Sequence, residues 1–345
     1  MNNHKRILLY GAGTNCIQFL KMVQAHPQIF SDEIVGIIDS SSEKIGRKRG
    51  SYIVNSPKTL YTTNWDNIVI TSDQYANDIR RQLVDGNGIE NKYIFDNRSY
   101  QSQKVIAYQY KYNINMHMRR KSCETESFNK DSLVVYTAII GQYDILKNPL
   151  TIEPHVKYVC FTNQKYLQSN VWEIRQLNMK NISASLIVRQ LKLKPHLFFP
   201  EYQTSIWIDA SFQILSTMST FMYRYQDSAN ILMFPHPLRY CIYDEAAACC
   251  FYYKEKKSKI LRQIIDYFKE GYPIDNGLYC GGFLVRNHNR PEVIDTMNLW
   301  YENVERYSSR DQISLPFILW KTGIPIDLCD LTIWDNPWLK NYEHI

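Results

Sequence analysis

The sequence predicts an α/β protein built as two domains. Three observations lead there. The chain has 345 residues, more than one hydrophobic core ordinarily supports. Short apolar runs alternate with amphipathic stretches before residue 98 and again after residue 131, the pattern of strands joined by helical crossovers. Between them, residues 99–130 turn polar and basic and hold neither glycine nor proline, which reads as a linker. The expected division is therefore 1–98, a basic linker 99–130, and 131–345.

In the first domain RILLYGAG reads as a buried strand entering a glycine turn, and NCIQFLKMVQAH as a helix with Ile17, Leu20 and Val23 on one face. EIVGIIDSSS is a second strand ending at Asp39, NIVITS a third, QYANDIRRQLVDG a helix and YIFDN a closing strand, for four strands in all. The turn Gly11–Cys16 approaches a dinucleotide fingerprint, with Cys16 in place of the third glycine. Gly11 would make the tight turn, Gly13 would let a phosphate approach the backbone, and Asp39 stands where a ribose-binding acid would. NAD or another nucleotide is the cofactor this pattern would hold.

In the linker, MHMRRK concentrates positive charge. A solvated helix is the first reading, and a phosphate-rich or membrane-surface contact the second.

The second domain opens with the strand LVVYTAII and the turn GQYD. Ligands of α/β sheets bind at the carboxyl ends of strands, so Thr137, Tyr143 and Asp144 are placed to meet a nucleotide. VKYVCFTN and VWEIRQL are further strands. ISASLIVRQLKLKPHLFFPEY is a helix carrying Arg189, Lys192 and Lys194, which breaks near Pro195. IWIDAS follows: a buried strand ending abruptly on Asp209, then a polar turn and the run FQIL. A carboxylate at such a strand end can hold a divalent cation, Mn²⁺ or Mg²⁺, against a diphosphate. Lys and Arg on the preceding helix would balance the remaining phosphate charge. KSKILRQIIDYFKEG is an amphipathic helix with Ile260, Ile264, Ile265 and Phe268 inward.

The motif series is specific enough to carry a resemblance. YTAIIGQYD, KYVCFTN, WEI, RQLKLKPHLFFPEY, IWIDAS and HPLRYCIYDEA occur in that order. Over roughly Leu133–Ile345 they resemble a glycosyltransferase family found in bacterial polysaccharide loci and in plant Golgi proteins linked to pectin or mucilage synthesis. That resemblance implies a GT-A-like mixed α/β fold and a nucleotide-sugar donor. It also implies that His236, Arg239 and Glu245 face the sugar pocket, and that the small pair Gly281–Gly282 lets backbone approach a sugar ring. Asp311 and Gln312 would then lie at the acceptor hydroxyl or donor sugar, with Asp311 as the candidate for acceptor activation, and His344 could join the metal ligands. Trp334 and Trp338 could wall the acceptor site or pack as a final lid. One departure is plain: many GT-A enzymes carry Asp-x-Asp, whereas here Asp209-Ala210-Ser211 offers one carboxylate and the Ser211 hydroxyl, a poorer hard-cation site. In the first domain GAG, GIIDSS, SYIVNSPKTL and NIVITS resemble the small Rossmann-like domains beside sugar-modifying transferases in bacterial surface-polysaccharide clusters, which implies a ligand-binding or scaffolding module.

Composition narrows the classes. A net charge of +6 without a dense Lys/Arg face suits diphosphates or an acidic membrane surface and argues against nucleic acid. No run approaches a transmembrane helix, and the start has no signal-peptide pattern. The eight cysteines have no metal-ligand spacing and read as reduced thiols. The expectation is a cytoplasmic bacterial glycosyltransferase, peripheral at the inner face of the membrane or free. It would move a sugar from a nucleoside-diphosphate donor, UDP-linked by preference, to a glycan or lipid-linked acceptor in surface-polysaccharide assembly, with a homo-oligomer or a biosynthetic complex compatible with its two domains. The competing classes are a non-catalytic nucleotide-sugar or glycan-binding module, supported by the missing second aspartate, and an NAD-dependent oxidoreductase acting through the first domain, ranked last.

Overall fold

The computed structural model describes residues 4–117, 132–142, 144–178, 183–225 and 230–342. The chain divides into two compact units, Met1–Tyr108 and Gln109–Ile345. The first comprises β1 (Arg6–Tyr10), α1 (Thr14–Ala25), β2 (Glu33–Ile38), β3 (Lys48–Arg49), β4 (Tyr52–Asn55), β5 (Asn67–Ile70), α2 (Ala76–Arg81), β6 (Ile94–Asp96) and the start of α3 (Asn97–His117). Its sheet runs β3-β4-β2-β1-β5-β6, parallel except for the antiparallel edge strand β3. This is a Rossmann-like sheet of six strands, where the sequence suggested four. The strands missed are β3 and β4, short and rim-exposed, with only Val54 buried, so they carry no apolar run to read. Leu8, Tyr10, Ile38, Ile68 and Ile70 fill the core.

Strand order reverses at β1, which lies between β2 and β5, so the glycine turn occupies a topological switch point. Cys16 and Phe19 form the buried face of α1, while Ile17 is exposed, one residue off the expected face. Cys16 therefore does pack helix against sheet. Part of the expected linker is core as well: Tyr100, Val105 and Ile106 of α3 are buried, and the Tyr100 hydroxyl donates to Asp32 at 2.7 Å. The rest of the linker, 118–130, lies outside the described residues.

Gly11 adopts φ +109, and a Cβ there would stand 3.1 Å from Ser72 Cβ. Gly13 has ordinary φ and open space around it. Gly11→Ala is thus expected to destabilise the first unit by roughly 1–3 kcal/mol, and Gly13→Ala to leave it unchanged. Urea unfolding of the two variants checks the contrast.

The second unit comprises β7 (Leu133–Ile139), β8 (Lys157–Thr162), β9 (Glu173–Gln176), α4 (Ala184–Leu193), β10 (Thr204–Ile208), β11 (Phe212–Ile214), α5 (Met218–Arg224), β12 (Ile231–Pro235), α6 (Ile242–Phe251), α7 (Lys257–Lys269), β13 (Tyr279–Arg286), α8 (Pro291–Arg306), α9 (Asp311–Thr322), β14 (Asp327–Leu328) and β15 (Leu339–Asn341). Seven strands form one sheet in the order β14-β12-β13-β10-β7-β8-β9. Every neighbour pair is parallel except those that β13 makes with β10 and β12. The result is the mixed, GT-A-like α/β sheet that the motif order implied. Tyr136 and Trp207 face one apolar cluster with residues of α4, α6, α7, α8 and α9; Val135, Ile206 and Ile208 face another with α5 and the C-terminal segment. A sheet covered on both sides needs continuous apolar strands, as these are.

The antiparallel insertion of β13 has a functional consequence. Its first residues lie beside the carboxyl ends of β10 and β12, because Ile208 pairs with Phe283 and Pro235 with Tyr279. β11 pairs with β15, and the Tyr342 backbone N–H donates to the Ser211 carbonyl at 2.9 Å. The C-terminal segment thereby returns to the loop that follows Asp209.

Two side-chain assignments change. The inward residues of α7 are Ile260, Gln263 and Tyr267, while Ile265 and Phe268 point outward. Helix α4 is also shorter than its motif: it stops at Leu193, and Pro195 opens a separate single turn.

Candidate active site

Gly281 and Gly282 are within β13, not before it, and successive positions of a strand face opposite sides. A Cβ on Gly281 would lie 3.0 Å from Lys192 Nζ, 3.4 Å from Asp311 Oδ2 and 3.6 Å from Gln312 Cγ. A Cβ on Gly282 would lie 2.9 Å from Phe212 Cε2 and 3.2 Å from Asp209 Oδ2. The glycine pair thus separates two groups of functional side chains. On one side Lys192 forms an ion pair with Asp311, and Arg189 Nη1 approaches the same oxygen at 3.7 Å. Lys192 and Asp311 are both buried. Burial alone would raise the Asp311 carboxyl; Arg189, Lys192 and Arg310 outweigh it and hold the group well below the usual carboxylate range.

On the other side, Asp209 begins where β10 ends. Its backbone N–H donates to the Gly282 carbonyl at 2.8 Å, and the Trp207 indole donates to Asp209 Oδ1 at 2.7 Å. Trp207 also lies under Lys192, whose Nζ is 5.9 Å from its ring centroid. One indole therefore orients both the acid and the lysine. Lys147 reaches the same loop, donating to the Ala210 carbonyl at 3.2 Å, and Ser211 is buried.

A third group lies where β12 ends. Glu245, in the first turn of α6, accepts from Arg239 Nε at 2.6 Å and from the Cys249 thiol at 3.3 Å. Arg310 joins this group to the first, since its charge acts on both Asp311 and Glu245. His236 Nδ1 accepts the backbone N–H groups of Leu238 and Arg239, at 3.2 and 3.0 Å, which puts the ring proton on Nε2. Burial, aided by the Arg239 charge, lowers its pKa to about 3. His236 is therefore neutral at physiological pH and folds its own loop.

Several sequence-predicted residues fall elsewhere. Lys194 lies over the Tyr301 ring at 4.3 Å, apart from the Lys192–Asp311 pair. Thr137 is buried inside β7, paired with Cys160 of β8, two residues short of the strand end. Trp338 packs against Phe221 and is core, whereas Trp334 remains exposed. Asp144 is on the loop after β7; Tyr143 and His344 lie outside the described residues. Among the described residues no cluster of three or more His, Cys, Asp or Glu is disposed to hold a metal ion. The donor set fits a cation of the kind that keeps several waters, takes one protein carboxylate, here Asp209, and draws its other ligands from a substrate diphosphate.

Sequence reading missed Trp207, Lys147, Arg310 and Arg286. Arg286 is fully buried; it donates to the Lys192 carbonyl and to the Tyr136 hydroxyl, each at 2.6 Å, and so fixes the end of α4 from which Lys192 projects. The available signal was an arginine inside the otherwise apolar run FLVR.

In the first unit, Asp39 Oδ2 accepts the Ala12 N–H at 2.7 Å and Oδ1 the Ser41 N–H at 2.8 Å, with Lys44 Nζ 3.1 Å away. The carboxylate that the fingerprint reading assigned to a ribose braces the glycine turn itself.

Residues 170–335 match the TOD1/MUCI70 glycosyltransferase-like domain, a span containing β10, β13, α4 and the start of α9. Over that span the second unit is similar to the TOD1/MUCI70 glycosyltransferase-like domain. The chain is 25% identical over 212 residues to a probable hexosyltransferase MUCI70 of Arabidopsis thaliana, a match covering 53% of this chain and 36% of the plant protein, so it spans little more than a third of that relative. Residues 3–95 match the N-terminal domain of C2185-like proteins.

Burial of neutral histidines in the glycosyltransferase-like unit sets a pH dependence. The pKa of His236 is lowered to about 3, and that of His288 to about 4, chiefly by burial. A histidine with a depressed folded pKa takes up its proton on unfolding once pH falls below the unfolded value near 6.5. Stability should therefore be full above about pH 6.5 and decline below it, by about 1.4 kcal/mol per pH unit for each histidine until the folded value is reached. Thermal unfolding between pH 7.5 and 4.5 (about three units) should show this decline, and His236→Asn should flatten it.

Proposed function

We propose that the second unit transfers a sugar from a nucleoside-diphosphate donor, UDP-linked by preference, to a glycan or lipid-linked acceptor in surface-polysaccharide assembly. The observation that carries this reading is the glycine pair of β13, flanked on one face by Lys192–Asp311 and on the other by Asp209, at the carboxyl edge of a mostly parallel sheet. The missing side chains let Lys192–Asp311 and Asp209 close on the strand from its two sides, and these groups suit a diphosphate. In the proposed reaction the bond from the anomeric carbon to the diphosphate oxygen breaks, a bond to the acceptor oxygen forms, the acceptor proton passes to a base, and the nucleoside diphosphate leaves. Arg189, Lys192, Arg310 and Arg239 outnumber the three carboxylates Asp209, Asp311 and Glu245, which leaves positive charge for the departing phosphates. A bound Mn²⁺ or Mg²⁺ would add to that charge, held by Asp209.

The pairing of Asp311 refines its role. A carboxylate held well below the usual range is a weak proton acceptor at neutral pH. Asp311 in this reading positions Lys192 and Arg189 and meets sugar hydroxyls, and it does not take the acceptor proton. The surface-polysaccharide setting rests on the motif resemblance, since the curated relative is a plant protein.

Binding tests the reading without needing an acceptor. UDP should raise the melting temperature of the protein, and Gly282→Ala, whose methyl would crowd Phe212 and Asp209 at 2.9 and 3.2 Å, should lower the unliganded stability by about 1–3 kcal/mol and weaken UDP affinity about tenfold, read from the ligand-induced shift of each protein. No stabilisation by any nucleoside diphosphate would count against a donor site here.

A further inference from the structure

We propose that the corner where α6 runs into α7 docks on an anionic membrane surface. Phe251, Tyr252 and Tyr253 stand consecutively at this corner with 70%, 65% and 92% of their surface exposed. Tyr253 holds a left-handed backbone conformation, φ 54, uncommon for a side chain of that size and directed here to full exposure. Four residues later α7 begins, and its outward side is also apolar: Leu261, Ile265 and Phe268 follow one another at helical spacing and are exposed, while Ile260, Gln263 and Tyr267 face the core. The helix thus buries one apolar face and leaves a second uncovered among the described residues.

The charge around this surface chooses the occupant. Lys254, Lys256, Lys257 and Lys269 are exposed and have no carboxylate partner among the described residues. The local acids are engaged inward or elsewhere: Glu255 accepts from Ser309, Asp266 from the Tyr307 hydroxyl, and Glu270 pairs with Lys321 at 2.7 Å. Tyrosine and phenylalanine beside unpaired lysines is the composition of an interfacial anchor: rings enter the headgroup layer and ammonium groups meet acidic lipids. A second copy of the chain would instead face four like charges brought together.

The corner is also tied to the candidate site. Glu255 holds the backbone and hydroxyl of Ser309, two residues before Asp311, and α6 starts beside Glu245 and ends at Phe251. Docking would keep the site within reach of acceptors carried in the bilayer, a consequence that rests on the proposed function, whereas docking itself does not.

Flotation of the purified full chain with vesicles tests it. The protein should float with vesicles of phosphatidylcholine mixed with phosphatidylglycerol, much less with phosphatidylcholine alone, and less at high salt. Lys254→Gln with Lys257→Gln should lower the partition coefficient about thirtyfold, from roughly fivefold per cation. Phe251→Ser, Tyr252→Ser and Tyr253→Ser together should lower it more than about tenfold at every salt concentration. All five side chains are exposed, so circular dichroism should be unchanged. Absence of flotation with acidic vesicles, or flotation insensitive to both variants, would overturn the proposal. So would a dimer in solution that the aromatic variant splits, because a second copy would then be the occupant.

Discussion

Asp311→Ala is expected to cost the second unit about 3–5 kcal/mol of stability, because it strands Lys192 as a buried charge without its counter-ion. Arg189 and Arg310 lose the same partner, so three cations would repel one another around an empty position. Asp311→Asn should cost less, since the amide oxygen can still accept from Lys192. The depressed Asp311 carboxyl fixes the sign with pH: the paired form contributes fully above the unfolded value near 3.8 and is lost as pH falls through the folded value, so the penalty is complete at neutral pH. Urea unfolding followed by tryptophan fluorescence isolates the effect, because six of the seven tryptophans belong to the second unit, Trp65 being the exception. A loss below about 1 kcal/mol would mean that the pair is solvated and that its role as a rigid charge support is wrong.

Asp209→Ala is expected to do the reverse, sparing the fold and removing the activity. Asp209 is only half-buried, and Trp207 is the side chain that donates to it. Its Oδ2 lies 3.2 Å from where a Cβ on Gly282 would stand. Loss of this carboxylate should lower turnover on the order of 10²–10³-fold, with the urea midpoint nearly unchanged. Comparable loss of activity and stability together would instead make Asp209 a structural residue.

The sheet architecture was legible because buried strands between helices must be continuously apolar, as LVVYTAI and TSIWI are. Asp209, Glu245 and Asp311 were legible because each stands where an element starts or stops. Pairings across the chain were not. Nothing local indicates that Lys192 meets Asp311, 119 positions later, or that Arg286 grips the carbonyl of Lys192. Sequence could see that this segment was basic, but not that Lys192 turns in to the site while Lys194 turns to Tyr301, because α4 ends at Leu193 and Lys194 already leaves the helical backbone conformation. The small strands β3 and β4 escaped for the opposite reason: their hydrogen bonds are made by backbone whose side chains are mostly in water. Asp39 shows a fingerprint position filled by a residue that the fold itself uses, since its carboxylate closes the glycine turn.

The central claim is that β13 and its flanking charges form a donor site that cleaves a nucleotide sugar. Incubating the protein with UDP-, GDP-, CMP- and dTDP-sugars, each with Mn²⁺ or EDTA, and measuring free nucleotide tests it most directly. The account predicts release from one donor class and its loss in Asp209→Ala at unchanged stability; the EDTA arm reports whether a cation shares the diphosphate with Asp209. Release that persists undiminished in Asp209→Ala, or silence with every donor together with no thermal stabilisation by any of them, would contradict it.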